Sequence, residues 1–219
     1  MQFIDFHTHH IHSDPEITSI YNVPLEELNT SQSNQNISIG IHPWEISNIN
    51  NQFNSIKQKL SQSTVLALGE CGLDKIKGPD LQTQIDVFKE HTSLSEQHKK
   101  PLIIHCVKSY SEIIKLRKDI DPKQPWILHG FNSSVETMNQ AIETGFYFSF
   151  GPSLVTHPKT QLTFRNTPLK RVFLETDDSN TNIKELYQKA SELRDLNIEE
   201  VIEQLQYNFK LIFNNYRYL

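Results

Sequence analysis

Leu66-Ala-Leu-Gly-Glu-Cys-Gly-Leu-Asp74 reads as a short apolar strand that runs out onto a carboxylate, Glu70, with Gly69 and Gly72 leaving room around it. The same pattern recurs on either side. Pro101-Leu-Ile-Ile leads to His105, Trp126-Ile-Leu leads to His129, and Arg171-Val-Phe-Leu-Glu-Thr leads to Asp177. At the N-terminus, Asp5-Phe-His-Thr-His9 ends the first apolar run. Residues i and i+2 of a strand share a face, so Asp5, His7 and His9 point one way. Two imidazoles so placed can clamp one divalent cation, and Asp5, one step deeper, can orient a ligand. Taken singly, each residue has an ordinary explanation as a hydrogen-bonded histidine or a capping aspartate. Six ligand-type side chains at five strand ends point instead to a metal site.

The segments between these runs settle the fold class. Strands are expected at Gln2–Phe6, Ile17–Val23, Ile37–Ile41, Thr64–Leu68, Leu102–His105, Trp126–His129, Phe146–Phe150 and Val172–Glu175. Helical patterns alternate with them, which argues for a parallel α/β sheet. Eight strands predict a TIM-type (β/α)8 barrel, and strand ends of a barrel gather on one face where active sites form. Helices are expected at Gln52–Leu60, at Asp80–His98 along a Leu81, Ile85, Phe88 and Thr92 stripe, and after Asn197, with Ile198 to Tyr216 at helical spacing. Ser109-x-x-Glu112, Ser133-x-x-Glu136 and Asn197-x-x-Glu200 read as capping boxes. A typical barrel of this kind takes about 250 residues, so 219 residues predict a shortened, distorted one. The deficit falls between the first and third strands: the first crossover helix is expected to be missing, and Asn29–Asn36 to form an exposed loop. A single domain over residues 1–219 is expected, with no internal repeat.

Composition narrows the function. Hydrophobic residues make up 37% and charged residues 21%, suited to a soluble chain with a real core. No apolar run reaches the ~18–20 residues of a membrane span, and MQFIDFHTHH lacks the features of a secretion signal. Cys71 and Cys106 are the only cysteines and form no C-x-x-C pair, so a reducing, cytoplasmic setting is expected. Both flank proposed ligands and are read as small packing residues. The net charge of −5 argues against wrapping duplex DNA but allows a local grip on one strand end.

Together the motifs resemble the TatD family of metal-dependent hydrolases, related to the amidohydrolase barrels. They are Asp5-Phe-His-Thr-His9, Gly40-Ile-His-Pro-Trp44, Gly69-Glu-Cys-Gly-Leu-Asp74, Pro101-Leu-Ile-Ile-His-Cys106, Leu128-His-Gly-Phe131 and Leu174-Glu-Thr-Asp177. They occur in the family's order and span nearly the whole chain. The resemblance implies two divalent cations (Zn, Mn or Mg), one held by His7, His9 and Asp177 and the other by His105 and His129, with Glu70 bridging. It further implies a bridging water as nucleophile, with Asp177 and Glu70 as the catalytic residues and Asp177 accepting the water's proton. The chain departs from the family pattern in three places. Lys75-Ile-Lys77 stands where tyrosine and arginine are common, Asp178-Ser179 where a small residue and proline are usual, and the first helix is lost.

Around the expected mouth, the resemblance makes His42 a phosphate contact. Lys75, Lys77 and Lys108 follow the fourth and fifth strands and could form a local basic rim. Trp44 is expected to pack, and His10 and His12 to lie in a loop; His91, His98 and His157 receive no functional role. The leading expectation is a phosphodiesterase acting as a DNase or exonuclease on single-stranded or strand-end DNA. The second is hydrolysis of a carboxylic ester, cyclic amide or small phosphoester. The third is a noncatalytic binding module, against which the intact ligand set argues. No membrane and no obligate protein partner is expected.

Overall fold

A computed structural model describes residues 2–28 and 35–213. Eight strands lie parallel in chain order in one sheet: β1 Phe3–Thr8, β2 Ile17–Asn22, β3 Ile37–Ile39, β4 Val65–Asp74, β5 Leu102–Val107, β6 Trp126–Leu128, β7 Tyr147–Phe150 and β8 Val172–Leu174. Every expected strand is present. The helices are α1 Ile49–Lys59, α2 Leu81–His98, α3 Tyr110–Ile120, α4 Val135–Glu143, α5 Ser153–Thr156, α6 Pro158–Asn166, α7 Ile183–Arg194 and α8 Ile198–Ile212. No helix joins β1 to β2, as the short, polar connection required. Of the loop expected at Asn29–Asn36, residues 29–34 lie outside the described residues, as does Tyr216. The chain divides into two compact units, Met1–Ile20 with His129–Leu219, and Tyr21–Leu128.

In the Tyr21–Leu128 unit, β4 is the central element and all ten of its residues are buried. It pairs with β5 through Leu68↔Leu102, then Cys71↔Ile104 and Gly72↔His105. Three steps on β4 against two on β5 mark a bulge at Gly69-Glu70, a device that turns a side chain away from strict alternation. Gly72 has φ +150°, and a Cβ there would run into the carbonyl oxygen of His105. Only glycine lets the two strands come this close beside His105.

Helix α2 docks on β4 through polar groups. Its buried face holds Gln84, Val87, Phe88, His91 and Thr92, whereas Leu81 and Ile85 of the expected stripe are only half-buried. The face is rotated because Gln84 clamps β4: its Oε1 accepts from Asp74 N at 2.7 Å and its Nε2 donates to Asp74 O at 2.9 Å. His91 does the same for the end of β3. Its Nε2 accepts from Ile41 N at 3.0 Å, so its Nδ1 carries the proton and donates to Val87 O at 2.9 Å. Burial pushes His91 down to about 4. Because the folded state binds this proton more weakly than the unfolded chain, stability is fully present above pH 6.5 and falls as pH drops toward 4. A loss on the order of 3 kcal/mol is expected across that window, at about 1.4 kcal/mol per unit. Urea unfolding measured at stepped pH should show it, and His91→Gln should flatten the slope. An unchanged slope in that variant would remove His91 as the cause.

In the other unit, aromatic rings fill the core beneath β1, β7 and β8. Phe6 stacks on Phe173 at 4.3 Å, Phe131 meets Phe148 edge-on at 4.8 Å, and Phe150 meets Phe164 at 5.2 Å. Such pairs add about 0.5–1.5 kcal/mol beyond their buried area. The buried Tyr187 hydroxyl of α7 satisfies both backbone groups of Ile4, accepting from its N at 3.0 Å and donating to its O at 3.1 Å. That pins α7 to the strand carrying His7 and His9.

Three helix starts differ in detail from expectation. Helix α1 begins at Ile49, because Asn48 accepts from Asn51 N at 3.3 Å and caps it earlier. Ser109 precedes α3 without capping it; its hydroxyl donates to Val107 O, and Glu112 pairs instead with Lys75 at 2.5 Å. Helix α4 is capped by Ser134, which accepts from Thr137 N, while Ser133 O receives the Thr163 hydroxyl. At Asn197 the capping box forms, with Glu200 accepting from Asn197 N at 2.8 Å.

Candidate metal centre

In the first unit, β1 delivers His7 and His9 to Asp177, which follows β8. Asp177 Oδ1 stands 3.6 Å from His7 Nε2 and 3.5 Å from His9 Nε2. Asp177 has φ +55°, a left-handed conformation that aspartate tolerates better than most residues. Two backbone bonds hold it there: Asp177 N donates to His7 O at 3.0 Å, and His9 N donates to Asp177 O at 2.9 Å. The carboxylate is thereby tied to the same strand as its partner imidazoles. Asp5 reinforces this from beneath, accepting from Thr176 N at 2.9 Å, the Thr176 hydroxyl at 2.6 Å and His12 Nε2 at 2.8 Å. That bond to Asp5, stronger than the opposing effect of burial, raises the pKa of His12. His129 lies beside His7, with ring centroids 4.7 Å apart. Its Nδ1 is 3.3 Å from Oε1 of the fully buried Glu175, which leaves Nε2 as the lone-pair nitrogen of the neutral ring.

In the second unit, Glu70, His42 and His105 converge. Glu70 Oε1 is 3.3 Å from His105 Nδ1 and 3.7 Å from His42 Nε2, and the two imidazole nitrogens are 3.3 Å apart. Asn22 accepts from Glu70 N at 3.0 Å and fixes the bulged backbone. Behind His105 stands Asp74, whose Oδ2 lies 3.2 Å from His105 Nε2 and accepts from Trp44 Nε1 at 2.7 Å. Burial pulls the Asp74 carboxyl upward, but hydrogen bonds from Trp44, Ile76, His105 and Lys77 outweigh it and hold it below its ordinary value. An ionised Asp74 takes the proton of His105 Nε2, leaving Nδ1 as the ligand atom. His42 is arranged the other way. Its Nδ1 accepts from Trp44 N at 3.1 Å, so its neutral ring carries the proton on Nε2.

Donors about 2.0–2.2 Å from a tetrahedral cation stand about 3.3–3.6 Å apart. The separations of Asp177 from His7 and His9 and of Glu70 from His105 match that edge length, whereas Glu70 to His42 is slightly longer at 3.7 Å; all the groups are imidazole or carboxylate, the ligand types that suit zinc and manganese. His7, His9 and Asp177 form one group of possible metal ligands within 4.8 Å of one another, and His42, Glu70 and His105 another. His129 belongs to neither three-donor group. Sequence reading named Asp5 but passed over Asp74 and Glu175. Both were visible as carboxylates two or four residues from a named ligand on the same strand or its extension.

The remaining rim residues are engaged in different ways. Lys75 is paired with Glu112, Lys77 lies 3.6 Å over the Trp44 ring, and Lys108 is exposed. Trp44 therefore has a positioning hydrogen bond as well as a packing role. Cys71 and Cys106 are buried free thiols whose pKa values burial pushes upward, in keeping with a packing role.

Parallel strands ending in imidazole and carboxylate donors define the class of (β/α)8 metalloproteins. More particularly, the family described as TatD related DNase matches residues 7–214, and the chain belongs to that family. The TatD homologue YJJV of Escherichia coli K12 shares the fold with a TM-score of 0.82 at 21% identity, covering 97% of this chain and 98% of that one. The fold is accordingly a TIM-type (β/α)8 barrel without the first crossover helix. A protein of Buchnera aphidicola from Baizongia pistaciae, named an uncharacterized metal-dependent hydrolase, is 33% identical over 153 residues, covering 67% of this chain and 57% of its own length. YcfH of Escherichia coli K12, named likewise, is 24% identical over 209 residues, 87% of this chain and 78% of its own. The chain spans 57% and 64% of the two Buchnera relatives it matches. No helix among the described residues is long and apolar enough to cross a membrane.

Proposed function

We propose that residues 1–219 act as one metal-dependent hydrolase that cleaves phosphodiester bonds in DNA, working from strand ends. The observation that carries this reading is the spacing of Asp177 from His7 and His9 and of Glu70 from His105, each close to the edge of a metal-donor tetrahedron. One divalent cation would be held by His7, His9 and Asp177, and a second by Glu70 and His105. When bound, such a pair lowers the pKa of a water and stabilises charge on a phosphoryl oxygen. Asp177, one-third exposed, is placed to accept the attacking water's proton and pass it to the leaving oxygen. His42 offers Nε2–H to a phosphate oxygen, and Lys77 and Lys108 supply positive charge along the strand's path, the charge of Lys75 being matched by Glu112. The family description names a DNase, and the acidic chain suits a grip on one strand end rather than a wrapped duplex.

The test compares mononucleotide release from single-stranded DNA with hydrolysis of generic phosphodiesters and carboxylic esters, in protein loaded with Zn²⁺, Mn²⁺ or Mg²⁺. DNA turnover that disappears with chelator is the expected result. Ester turnover without DNA turnover would reassign the substrate, and metal-independent turnover would remove the mechanism.

A further inference from the structure

Within the first unit, a cavity of about 330 Å³ is lined by Thr176 and Ser179, which flank Asp177 in the chain. One wall is the helix-less connection from β1 to β2, with His10, His12 and Asp14; the other is the segment after β8, with Ser179, Asn180 and Thr181. Two of the chain's departures from the family pattern, the missing helix and Asp178-Ser179, thus meet at one place. The volume lies at the small end of ligand sites, about 300–1,000 Å³, which suits one compact moiety and not a duplex.

The lining chemistry selects the occupant. The ammonium of Lys184, at the start of α7, is 2.9 Å from Asp14 and 2.6 Å from Glu16, so its charge is already matched. Neutral groups remain. Asn180 has a side-chain amide and Thr181 a hydroxyl with no hydrogen bond among the described residues. His10 donates Nε2–H to Asp178 O at 3.0 Å and His12 engages Asp5 through Nε2, so each keeps Nδ1 for a ligand. With Lys184 matched by Asp14 and Glu16, and His12 by Asp5, no unmatched cation faces the cavity from its lining, which favours an uncharged, hydrogen-bonding group over a phosphate.

We propose that this cavity is a subsite for the sugar-and-base portion of the nucleotide adjoining the scissile phosphate. The assignment rests on the nucleic-acid reading above, and its test is separable from it. Thymidine and deoxyadenosine are titrated into the purified full chain by calorimetry, alone and with inorganic phosphate present. Saturable nucleoside binding is expected, unaffected by phosphate. Asn180→Leu and Thr181→Val, both outside the metal ligands, should each weaken it by about 3- to 10-fold, the loss of one hydrogen bond. In turnover, the same variants should raise KM for a thymidine dinucleotide by a similar factor with kcat held, and leave bis(p-nitrophenyl) phosphate unchanged. Failure of the wild-type chain to bind either nucleoside, competition by phosphate, or equal affinity in the variants overturns the subsite. If both diesters are cleaved while the variants change nothing, the subsite alone falls. If neither is cleaved yet the variants still lose nucleoside affinity, the subsite stands and the hydrolase reading falls.

Discussion

Glu70→Ala and Asp177→Ala are each expected to lower turnover by at least about a thousandfold, equivalent to roughly 4 kcal/mol of lost transition-state stabilisation. The reason lies in how few donors each set contains. Asp177 places one carboxylate oxygen within 3.6 Å of both His7 and His9, and Glu70 is a carboxylate that His105 Nδ1 faces. Removing either leaves two imidazoles or fewer, which hold a divalent cation poorly at neutral pH. Metal content measured by mass spectrometry should therefore fall with activity, from about two equivalents toward one. Circular dichroism should remain unchanged, because neither side chain anchors a core element. Full turnover in both variants, with metal content intact, would mean that the donor sets are not the reactive centre.

Asp74→Asn should produce the second-largest effect, and a different kind. Asp74 touches neither set's shared carboxylate; it holds His105 through Nε2 and is itself held by Trp44 and Gln84. The indole and imidazole N–H groups both point at Oδ2, and the Ile76 and Lys77 N–H groups at Oδ1, so the NH₂ of an amide must oppose one of these pairs. His105 would in either case lose the negative charge that fixes its tautomer. Loss of such an outer contact costs about 10- to 100-fold in metal affinity, so activity should drop at limiting metal and recover as metal is raised. In Glu70→Ala, excess metal should restore little. Equal metal affinity in Asp74→Asn and the parent chain would reduce Asp74 to a packing role.

Much of the candidate site was legible in the sequence because its possible donors sit at the ends of apolar strands. His7, His9, Glu70, His105 and Asp177 could be named from pattern alone, and the structure groups them in the two donor sets. Strand counting succeeded for the same reason: β-branched and aromatic runs between polar connections mark strands wherever burial is on both faces. It failed locally at β4. There a one-residue bulge between Leu68 and Cys71 breaks alternation, and no count of residues shows which way Glu70 turns. Of the expected α2 stripe, Phe88 and Thr92 are buried while Leu81 and Ile85 are only half-buried, for a related reason. Apolar spacing chose Leu81 and Ile85, but two buried polar residues, Gln84 and His91, set the contact face through hydrogen bonds to Asp74 and Ile41.

The amino-acid sequence by itself determined which chemical groups could bind metal, that eight parallel strands would carry them, and that no helix would follow β1. Those properties are local: they depend on residue type, on a period of two along a strand, and on too few residues to build a crossover. Tertiary structure alone decided that Asp74 backs His105, that Glu175 backs His129, and that Lys75 is paired with Glu112. It also decided that a polar cavity opens between the β1–β2 connection and the segment from Ser179 to Ile183. Each is a pairing between residues distant in the chain, and a hydrogen-bond partner is selected by position in space, on which sequence spacing is silent.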